Sequence, residues 1–421
     1  MKKFFLVLIL VSVLFIYQTT VGAEKLIFLS TQFNPVAELQ YMNEKVLSGF
    51  TKETGISVEF VPASYADFMN RILAEVKSGK VVTNVIAELH GGFDYLVSEN
   101  AVEDLSNMPK LTSRTFIKTF TDYAKIRGVT AYIPWTQATY VMAINKEAFK
   151  YLPEGLTQDD ILRGSIRWTY DALLKWAENL KKAKGIPMFG LPMAPGGLFH
   201  RFLHGYIYPS YTGFQAKGFA SKEALIMWKY LSTLNEFINP ASTTWSNMSE
   251  PLLKGEVLIA WDHTARLTSA VTTKPNDFVI APVPLGLKGR GYILVIAGLG
   301  IPKNAPNKEN SWKLIEYLTR PSTGALILKG TGFFPVVKEA QKEVTEGGLK
   351  VLVEGVTKQS SAPVGKPQLI PSLGGLGGEF GNIYRIAYER IVLKKEDPNK
   401  VLPELAKRLE EIFKEANVPM N

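Results

Sequence analysis

The N-terminal part of the chain alternates short apolar runs with amphipathic segments. Residues 26–29 form a continuous apolar run that predicts a buried strand. Apolar residues then recur at helical spacing, which predicts a helix from Pro35 to a left-handed cap at Gly55. Three further elements are predicted in turn: a strand at 56–61, a helix at 65–77 and a strand at 85–87. This β-α-β-α-β order predicts an α/β fold with a parallel sheet.

Two segments follow the first and third of these strands. Because parallel sheets bind ligands in the loops at the carboxyl ends of their strands, residues 30–34 and 88–93 are predicted ligand-binding loops. The first contains Gln32, and the second contains Glu88, His90 and two glycines. Glu88 has the chemistry to accept hydrogen bonds from two hydroxyls. The alternative for Glu88 is a charge at the N-terminus of the next helix, predicted at 93–100.

The N-terminus has the pattern of a cleaved signal peptide. Lys2 and Lys3 precede an apolar run at 4–17, which is shorter than the ~20 residues that a spanning helix needs. Val21-Gly22-Ala23 suits a signal peptidase, so residues 1–23 are predicted to be removed. The alternative is an uncleaved anchor. The chain has no Cys, which excludes disulfides and thiol catalysis.

Length and charge narrow the class of protein. A chain of 421 residues exceeds the ~250 to 300 residues that one core supports, so two domains are expected. The net charge is +9, but basic residues alternate with acidic ones, as at 394–397, which predicts solvated helix faces and no nucleic-acid partner. No cofactor fingerprint occurs. His200 and His204 are four residues apart without an H-E-x-x-H pattern, so no metal site is predicted.

Five stretches of the chain resemble the extracellular solute-binding proteins of ABC importers, in particular the sugar-binding family that includes maltose-binding protein. They occur in the order of that family, at 50–58, 128–145, 168–174, 253–261 and 298–303. The resemblance implies a two-lobed periplasmic binding protein fold, each lobe a mainly parallel sheet flanked by helices, with the ligand in the cleft between the lobes. It also implies that the lobes close on the ligand by a hinge motion.

The resemblance further implies where the lobes divide. The chain is expected to cross between them near 137–141, 296–298 and 333–336. The first lobe would then comprise residues 24–136 and 297–334, and the second 137–296 and 335–421.

Sugar sites combine flat aromatic rings with polar groups for the hydroxyls. Trp135, Trp245 and Trp261 lie at predicted strand ends or loops and are candidate stacking residues, although each has an ordinary buried Trp as its alternative. The four other Trp residues are assigned to the core. By resemblance, Asp262 and His263 supply contacts from the second lobe. Gln137 is predicted to bind ligand hydroxyls. The glycine-rich segment 372–381 is predicted to form a ligand-facing loop before a helix at 382–393. Phe380 is predicted to provide an aromatic contact from that loop.

The sequence therefore predicts the substrate-binding component of an ABC transporter, exported to the periplasm or cell exterior. It would act as a monomer, capture a carbohydrate and deliver it to the membrane permease subunits without a cofactor or covalent chemistry. One alternative is a binding protein for a polyol, peptide or polyamine. A secreted glycoside hydrolase is the other, but it needs two carboxylates ~5 to 9.5 Å apart and the chain has no recognisable catalytic motif.

Overall fold

A computed structural model describes residues 25–344 and 346–420, so the predicted signal peptide lies outside the described residues. The strands, in chain order, are β1 (Lys25–Ser30), β2 (Ser57–Pro62), β3 (Val85–Leu89), β4 (Lys125–Ile126), β5 (Val129–Thr130), β6 (Ile133–Ala138), β7 (Tyr140–Asn145), β8 (Phe189–Gly190), β9 (Ile259–His263), β10 (Phe278–Ala281), β11 (Arg290–Gly300), β12 (Phe334–Pro335) and β13 (Gly365–Leu369).

The α-helices are α1 (Val36–Tyr41), α2 (Ser48–Thr54), α3 (Tyr65–Ser78), α4 (His90–Ser98), α5 (Lys118–Tyr123), α6 (Gln158–Leu162), α7 (Tyr170–Lys184), α8 (Phe199–Phe202), α9 (Tyr208–Thr212), α10 (Lys222–Leu234), α11 (Ser249–Lys254), α12 (Thr264–Thr273), α13 (Lys308–Leu318), α14 (Pro321–Thr331), α15 (Lys338–Lys342), α16 (Gly347–Ser361), α17 (Gly377–Ala387) and α18 (Pro398–Glu415). Three π-helical turns, Met42–Leu47, Leu203–Ile207 and Tyr388–Leu393, continue α1 into α2, α8 into α9 and α17 beyond Ala387. None of the described helices combines the length and apolar character needed to span a bilayer.

The larger sheet has seven strands within the described residues. Its order is β12-β6-β11-β3-β1-β2, and β13 pairs with the N-terminal half of β11. β1 runs parallel to both β2 and β3, which confirms the parallel β-α-β-α-β prediction. The helix between β1 and β2 ends at Gly55 with φ of 75°, and this left-handed cap is also confirmed.

The smaller sheet has the order β10-β7-β9-β8. β7 is antiparallel to both β9 and β10, and β8 is parallel to β9. The expectation of a mainly parallel sheet is therefore wrong here. β8, β9 and β10 all run in one direction, and β7, which comes directly from β6 of the larger sheet through the single residue Thr139, is the strand that runs against them.

Thr139 marks the place where the chain leaves the larger sheet for the smaller one. Its Oγ1 donates to the Ile293 carbonyl at 2.9 Å. The next residue, Tyr140, donates its N–H to the Tyr206 hydroxyl at 2.8 Å. This passage falls within the predicted first crossing at 137–141, while the full division into lobes stays a prediction.

Two predicted boundaries are wrong, and both involve glycine. Residues 88–93 are not a loop, because β3 extends to Leu89 and α4 begins at His90. The helix predicted to begin at 382 begins at Gly377 instead. In each case glycines that resemble a loop signal lie in the first turns of a helix, where tertiary contacts override their low helix propensity.

Candidate ligand-binding site

A cavity of about 230 Å³ lies at the carboxyl end of β3. It is smaller than the ~300 to 1,000 Å³ of sites for drug-sized ligands, which favours a small ligand. The walls come from distant parts of the chain: residues 88–92, residues 294–296 of β11, residues 369–374 with Gly377, the side chain of Tyr65 and that of Arg201. Part of the glycine-rich segment, residues 372–374 and Gly377, therefore lines the cavity together with Glu88 and His90, while contact of this segment with a ligand stays a prediction.

Glu88 is the buried carboxyl of this cavity. It is 3% exposed, and its Oε1 accepts the Leu89 N–H at 2.7 Å. Its Oε2 has no hydrogen-bond partner within the described chain. Burial raises the pKa of Glu88 to about 7, and this effect exceeds the opposite influence of the nearby Thr31 hydroxyl and the Leu89 N–H. A carboxyl group with one unpaired oxygen can accept a hydrogen bond from a ligand hydroxyl. Once protonated, it can donate a hydrogen bond instead.

Close packing holds Glu88 in position. A Cβ added at Gly92 would lie 2.3 Å from the Cγ of Glu88 and 2.8 Å from the Met69 methyl. The first turn of α4 therefore requires glycine here in order to pass beside the carboxyl. Because α4 begins two residues after Glu88, the alternative prediction of a charge at a helix N-terminus also agrees with this position.

His90 is the second predicted residue in the cavity wall. Its Nδ1 lies 3.0 Å from the Tyr132 hydroxyl, and its ring packs edge-on against Tyr123 and Tyr132 at 5.7 and 6.0 Å. Burial lowers the pKa of His90, which keeps the imidazole neutral at physiological pH. A neutral imidazole with one nitrogen held by Tyr132 leaves the other ring nitrogen able to contact a ligand.

Two side chains of the cavity wall that can stack on a ligand or pair with it, those of Tyr65 and Arg201, were not found from the sequence. Tyr65 opens α3 beyond the carboxyl end of β2 and is 41% exposed. The rule about carboxyl ends of parallel strands, applied to β2 as well, would have found it. Arg201 comes from α8, far away in the chain, and no motif identifies it. Tyr65 also borders a wider groove of about 820 Å³ that contains a second exposed tyrosine, Tyr95.

Three predicted site residues near β1 and β6 do not line this cavity. Trp135 lies within β6, not at a strand end, and its ring packs at 5.8 Å from Phe28 and 5.2 Å from Phe33 in the core. Gln137 is buried on the same strand, with its Oε1 unpaired among the described residues. Gln32 is half-buried and donates its Nε2 to the Thr31 hydroxyl.

Trp261, Asp262 and His263 occupy consecutive positions of β9 in the smaller sheet. Trp261 is fully buried and stacks on Tyr140, with the ring centroids 4.9 Å apart. Asp262 accepts the N–H groups of Met248 and His263, and burial raises its pKa to about 7. His263 accepts the Ala265 N–H and so caps α12. These residues form a cluster separate from the wall of the cavity.

The two remaining predicted residues lie in packed surroundings. Trp245 is half-buried against the apolar cluster beneath α11 and α12. Phe380 lies in α17 and is buried, with its ring 4.7 Å from His204 and 5.7 Å from Phe413. Of the ten predicted site residues, the structure brings Glu88 and His90 together in the cavity, and ligand contact by the other eight stays a prediction.

The chain matches the family model for bacterial extracellular solute-binding proteins over residues 34–325. It belongs to this family. A binding protein of Brucella abortus is 23% identical over 386 residues, which cover 88% of this chain and 89% of that protein. Among solved structures, MalE3 of T. maritima with maltose bound is 18% identical, with a TM-score of 0.67, and covers 93% of this chain and all of its own.

A second structural relative has a different ligand. UgpB from Mycobacterium tuberculosis in complex with glycerophosphocholine is 18% identical with a TM-score of 0.66, and covers 94% of this chain and 100% of its own. These similarities confirm the two-lobed binding-protein fold. Solute-binding proteins of this family bind a ligand and interact with ABC permeases, and they are not enzymes.

Proposed function

We propose that this solute-binding protein captures a carbohydrate outside the cytoplasmic membrane and delivers it to a membrane permease. It would work as a monomer, with the predicted signal peptide directing its export. The observation that carries the proposal is the cavity lined by Glu88, whose buried Oε2 has no hydrogen-bond partner among the described residues, and by the exposed ring of Tyr65. A carboxyl for hydroxyl groups and an aromatic ring for C–H faces are the two components of a sugar site.

The surroundings of this pair also support a polyhydroxylated ligand. His90 is held neutral and offers a hydrogen bond without a charge. The backbone of the glycine-rich segment lines another wall, so its N–H and C=O groups are close to the ligand. The T. maritima relative carries maltose, which agrees with this assignment.

Closure of the two lobes would complete the site. The cavity is lined both by residues of the predicted first lobe, such as Glu88, and by residues of the predicted second lobe, such as Arg201. A ligand that contacts both lobes binds the closed state more tightly and shifts the protein towards it. The permease would then recognise the closed form.

The test is a thermal-shift panel of mono-, di- and oligosaccharides, followed by calorimetry on each sugar that raises the melting temperature. We expect Glu88→Gln and Tyr65→Ala to weaken binding of that sugar. Phe214→Ala is the matched control, because Phe214 is also an exposed aromatic residue, at 46%, but lies outside the cavity. Equal affinities in all four proteins would contradict the proposed site.

A non-sugar solute is the second candidate, since the M. tuberculosis relative binds glycerophosphocholine. The same panel therefore includes polyols, glycerophosphodiesters, short peptides and polyamines. Stabilisation by one of these and by no saccharide would replace the carbohydrate assignment while keeping the transport role.

A further inference from the structure

We infer that the ligand carries an anionic group, a carboxylate or a phosphate, which Arg201 binds at the cavity wall formed by α8. The inference rests on the proposed function, because it specifies the class of carbohydrate: an acidic or phosphorylated sugar of small size. It is carried by the unpaired state of Arg201, by the charges around it and by the polarity of the opposite walls.

Arg201 lacks the partners that arginine has elsewhere in this chain. Among the arginines of the described residues, Arg201 is the one whose guanidinium has neither a hydrogen bond nor a carboxylate within ion-pair distance. Other half-buried arginines, such as Arg320 and Arg408, form several ion pairs each. Even the fully buried Arg290 donates to backbone carbonyls, including that of Gly164. A half-buried guanidinium that lines a cavity and is otherwise unpaired has five donors available for a ligand.

The environment of Arg201 has an excess of positive charge. Arg266 donates to the carbonyls of Gly196 and Ser246, and Arg385 donates to the carbonyl of Gly197. Neither forms an ion pair within the described chain. Burial, reinforced by the charges of Arg201, Arg385 and Arg266, lowers the pKa of His200 to about 3. None of these arginines forms an ion pair with a carboxylate of the described residues, although Arg266 interacts electrostatically with the buried Asp262, and an anion in the cavity would relieve their mutual repulsion.

Other walls of the cavity agree with an anion. Gly374 and Gly377 lie there, and Gly377 is the first residue of α17, whose N-terminal N–H groups carry partial positive charge. Glu88 is the one carboxylate among the described residues of the lining, and it forms no ion pair with Arg201. The cavity thus has a hydroxyl-binding region at Glu88 and a cationic region at Arg201.

The geometry of a guanidinium defines the chemistry of the ligand. Two parallel N–H groups of arginine match the two oxygens of a carboxylate or a phosphate, and such charge-assisted pairs are stronger than neutral hydrogen bonds. A sugar acid or a sugar phosphate provides this anion together with hydroxyl groups for Glu88 and His90. Sugar acids and sugar phosphates would bind Arg201 through the same paired oxygens, and the experiment below distinguishes between them.

The experiment measures binding of matched probes to the mature chain by calorimetry: glucose with glucuronate and glucose 6-phosphate, and galactose with galacturonate and galactose 6-phosphate. We expect an acidic member to bind more tightly than its neutral partner. Arg201→Gln should weaken acidic binding roughly 10- to 100-fold, as expected for loss of hydrogen bonds to a charged group. Arg201→Lys keeps the positive charge but loses the pair of parallel N–H donors. Its affinity for the acidic sugars should therefore lie between those of wild type and Arg201→Gln. Arg163→Gln, on an exposed helix outside the cavity, is the control.

The outcomes separate the two proposals. If neutral sugars bind as tightly as acidic ones and Arg201→Gln changes neither affinity, the anionic ligand is ruled out and the carbohydrate function stands. If none of these six sugars binds, the anionic-sugar inference fails; if no saccharide of the thermal-shift panel binds either, the carbohydrate function fails with it. Preference for uronates over phosphates, or the reverse, identifies the anion. Circular dichroism of each variant checks that a loss of binding is not a loss of folding.

Discussion

At the scale of single residues, Glu88 links the ligand site to the stability of the fold. Its pKa is raised from an ordinary value of 4.5 to about 7 by burial, so the folded state binds more protons than the unfolded state between these two values. The contribution of Glu88 therefore lowers the free energy of unfolding as pH rises from about 4.5 to 7. The same sign applies to Asp262, whose pKa is also raised to about 7 by burial.

We expect Glu88→Gln to change this pH dependence. The variant has no charge to bury, so its melting temperature relative to wild type should be higher at pH 8 than at pH 5. Thermal denaturation at both pH values measures the difference. Glu59→Gln is the control, because an ion pair with Lys25 lowers the pKa of Glu59 below its ordinary value of 4.5, so Glu59 stays ionised in both states and its difference from wild type should change little between pH 5 and pH 8. A Glu88→Gln difference that does not vary with pH would contradict the burial of this charge.

Trp135 is the residue at which the sequence and the packing predict different phenotypes. As a ligand platform, its loss would weaken sugar binding. As a core residue that is 3% exposed against Phe28 and Phe33, its loss would destabilise the protein. We expect Trp135→Ala to lower the free energy of unfolding by about 3–5 kcal/mol, as for other large-to-small core substitutions.

Denaturant unfolding of Trp135→Ala measures that loss, and calorimetry on the folded variant measures any change in affinity. The more conservative Trp135→Phe keeps a ring in the core and controls for a variant that does not fold. Unchanged stability together with weaker binding would favour the ligand role.

At the scale of secondary-structure elements, the first three strands and the helices between them could be predicted from the sequence. Their signals are local: the apolar run of β1 and the helical spacing that ends at Gly55. Each of these is decided by residues within one or two turns of one another, so a pattern along the chain is sufficient.

The elements and site residues that were missed depend on contacts between distant residues. Position 92 in α4 requires glycine because the helix passes so close to Glu88 that a Cβ there would clash. In the smaller sheet, β7 comes directly from β6 of the other sheet and runs against both of its neighbours. Arg201 reaches the cavity because α8 packs against α17 and against residues near β11. No local pattern carries this information, which explains why the fold class could be predicted more completely than the site.

The passage from β6 to β7 leads to a prediction about Tyr206. Its buried hydroxyl accepts the Tyr140 N–H and lies 3.2 Å from the Thr139 hydroxyl. Tyr206→Phe would leave that buried N–H without a partner, at a cost of about 1–3 kcal/mol in the free energy of unfolding. Urea denaturation measures this cost.

Tyr211→Phe is the matched control, because Tyr211 is also buried but its hydroxyl makes no hydrogen bond within the described residues. Equal stability of the two variants would show that the Tyr206 hydroxyl contributes nothing to the passage between the sheets.

At the scale of the whole molecule, the chain passes from the larger sheet to the smaller one through a short connection at β6 and β7. Thr139 is the one residue between these two strands. A connection this short allows relative motion by rotation about a few backbone bonds, as the predicted hinge requires.

The hinge predicts a change of shape on ligand binding. Because the cavity is lined by residues of both predicted lobes, a bound ligand favours the closed state by the difference between its affinities for the closed and open states. We therefore expect small-angle X-ray scattering to show a smaller radius of gyration when the mature protein is saturated with the ligand found in the panel. Glu88→Gln at the same ligand concentration should show a smaller decrease, in proportion to its lower occupancy. An unchanged radius at full occupancy, verified by calorimetry on the same sample, would mean that the ligand binds without closing the lobes, and recognition by the permease would then require another signal.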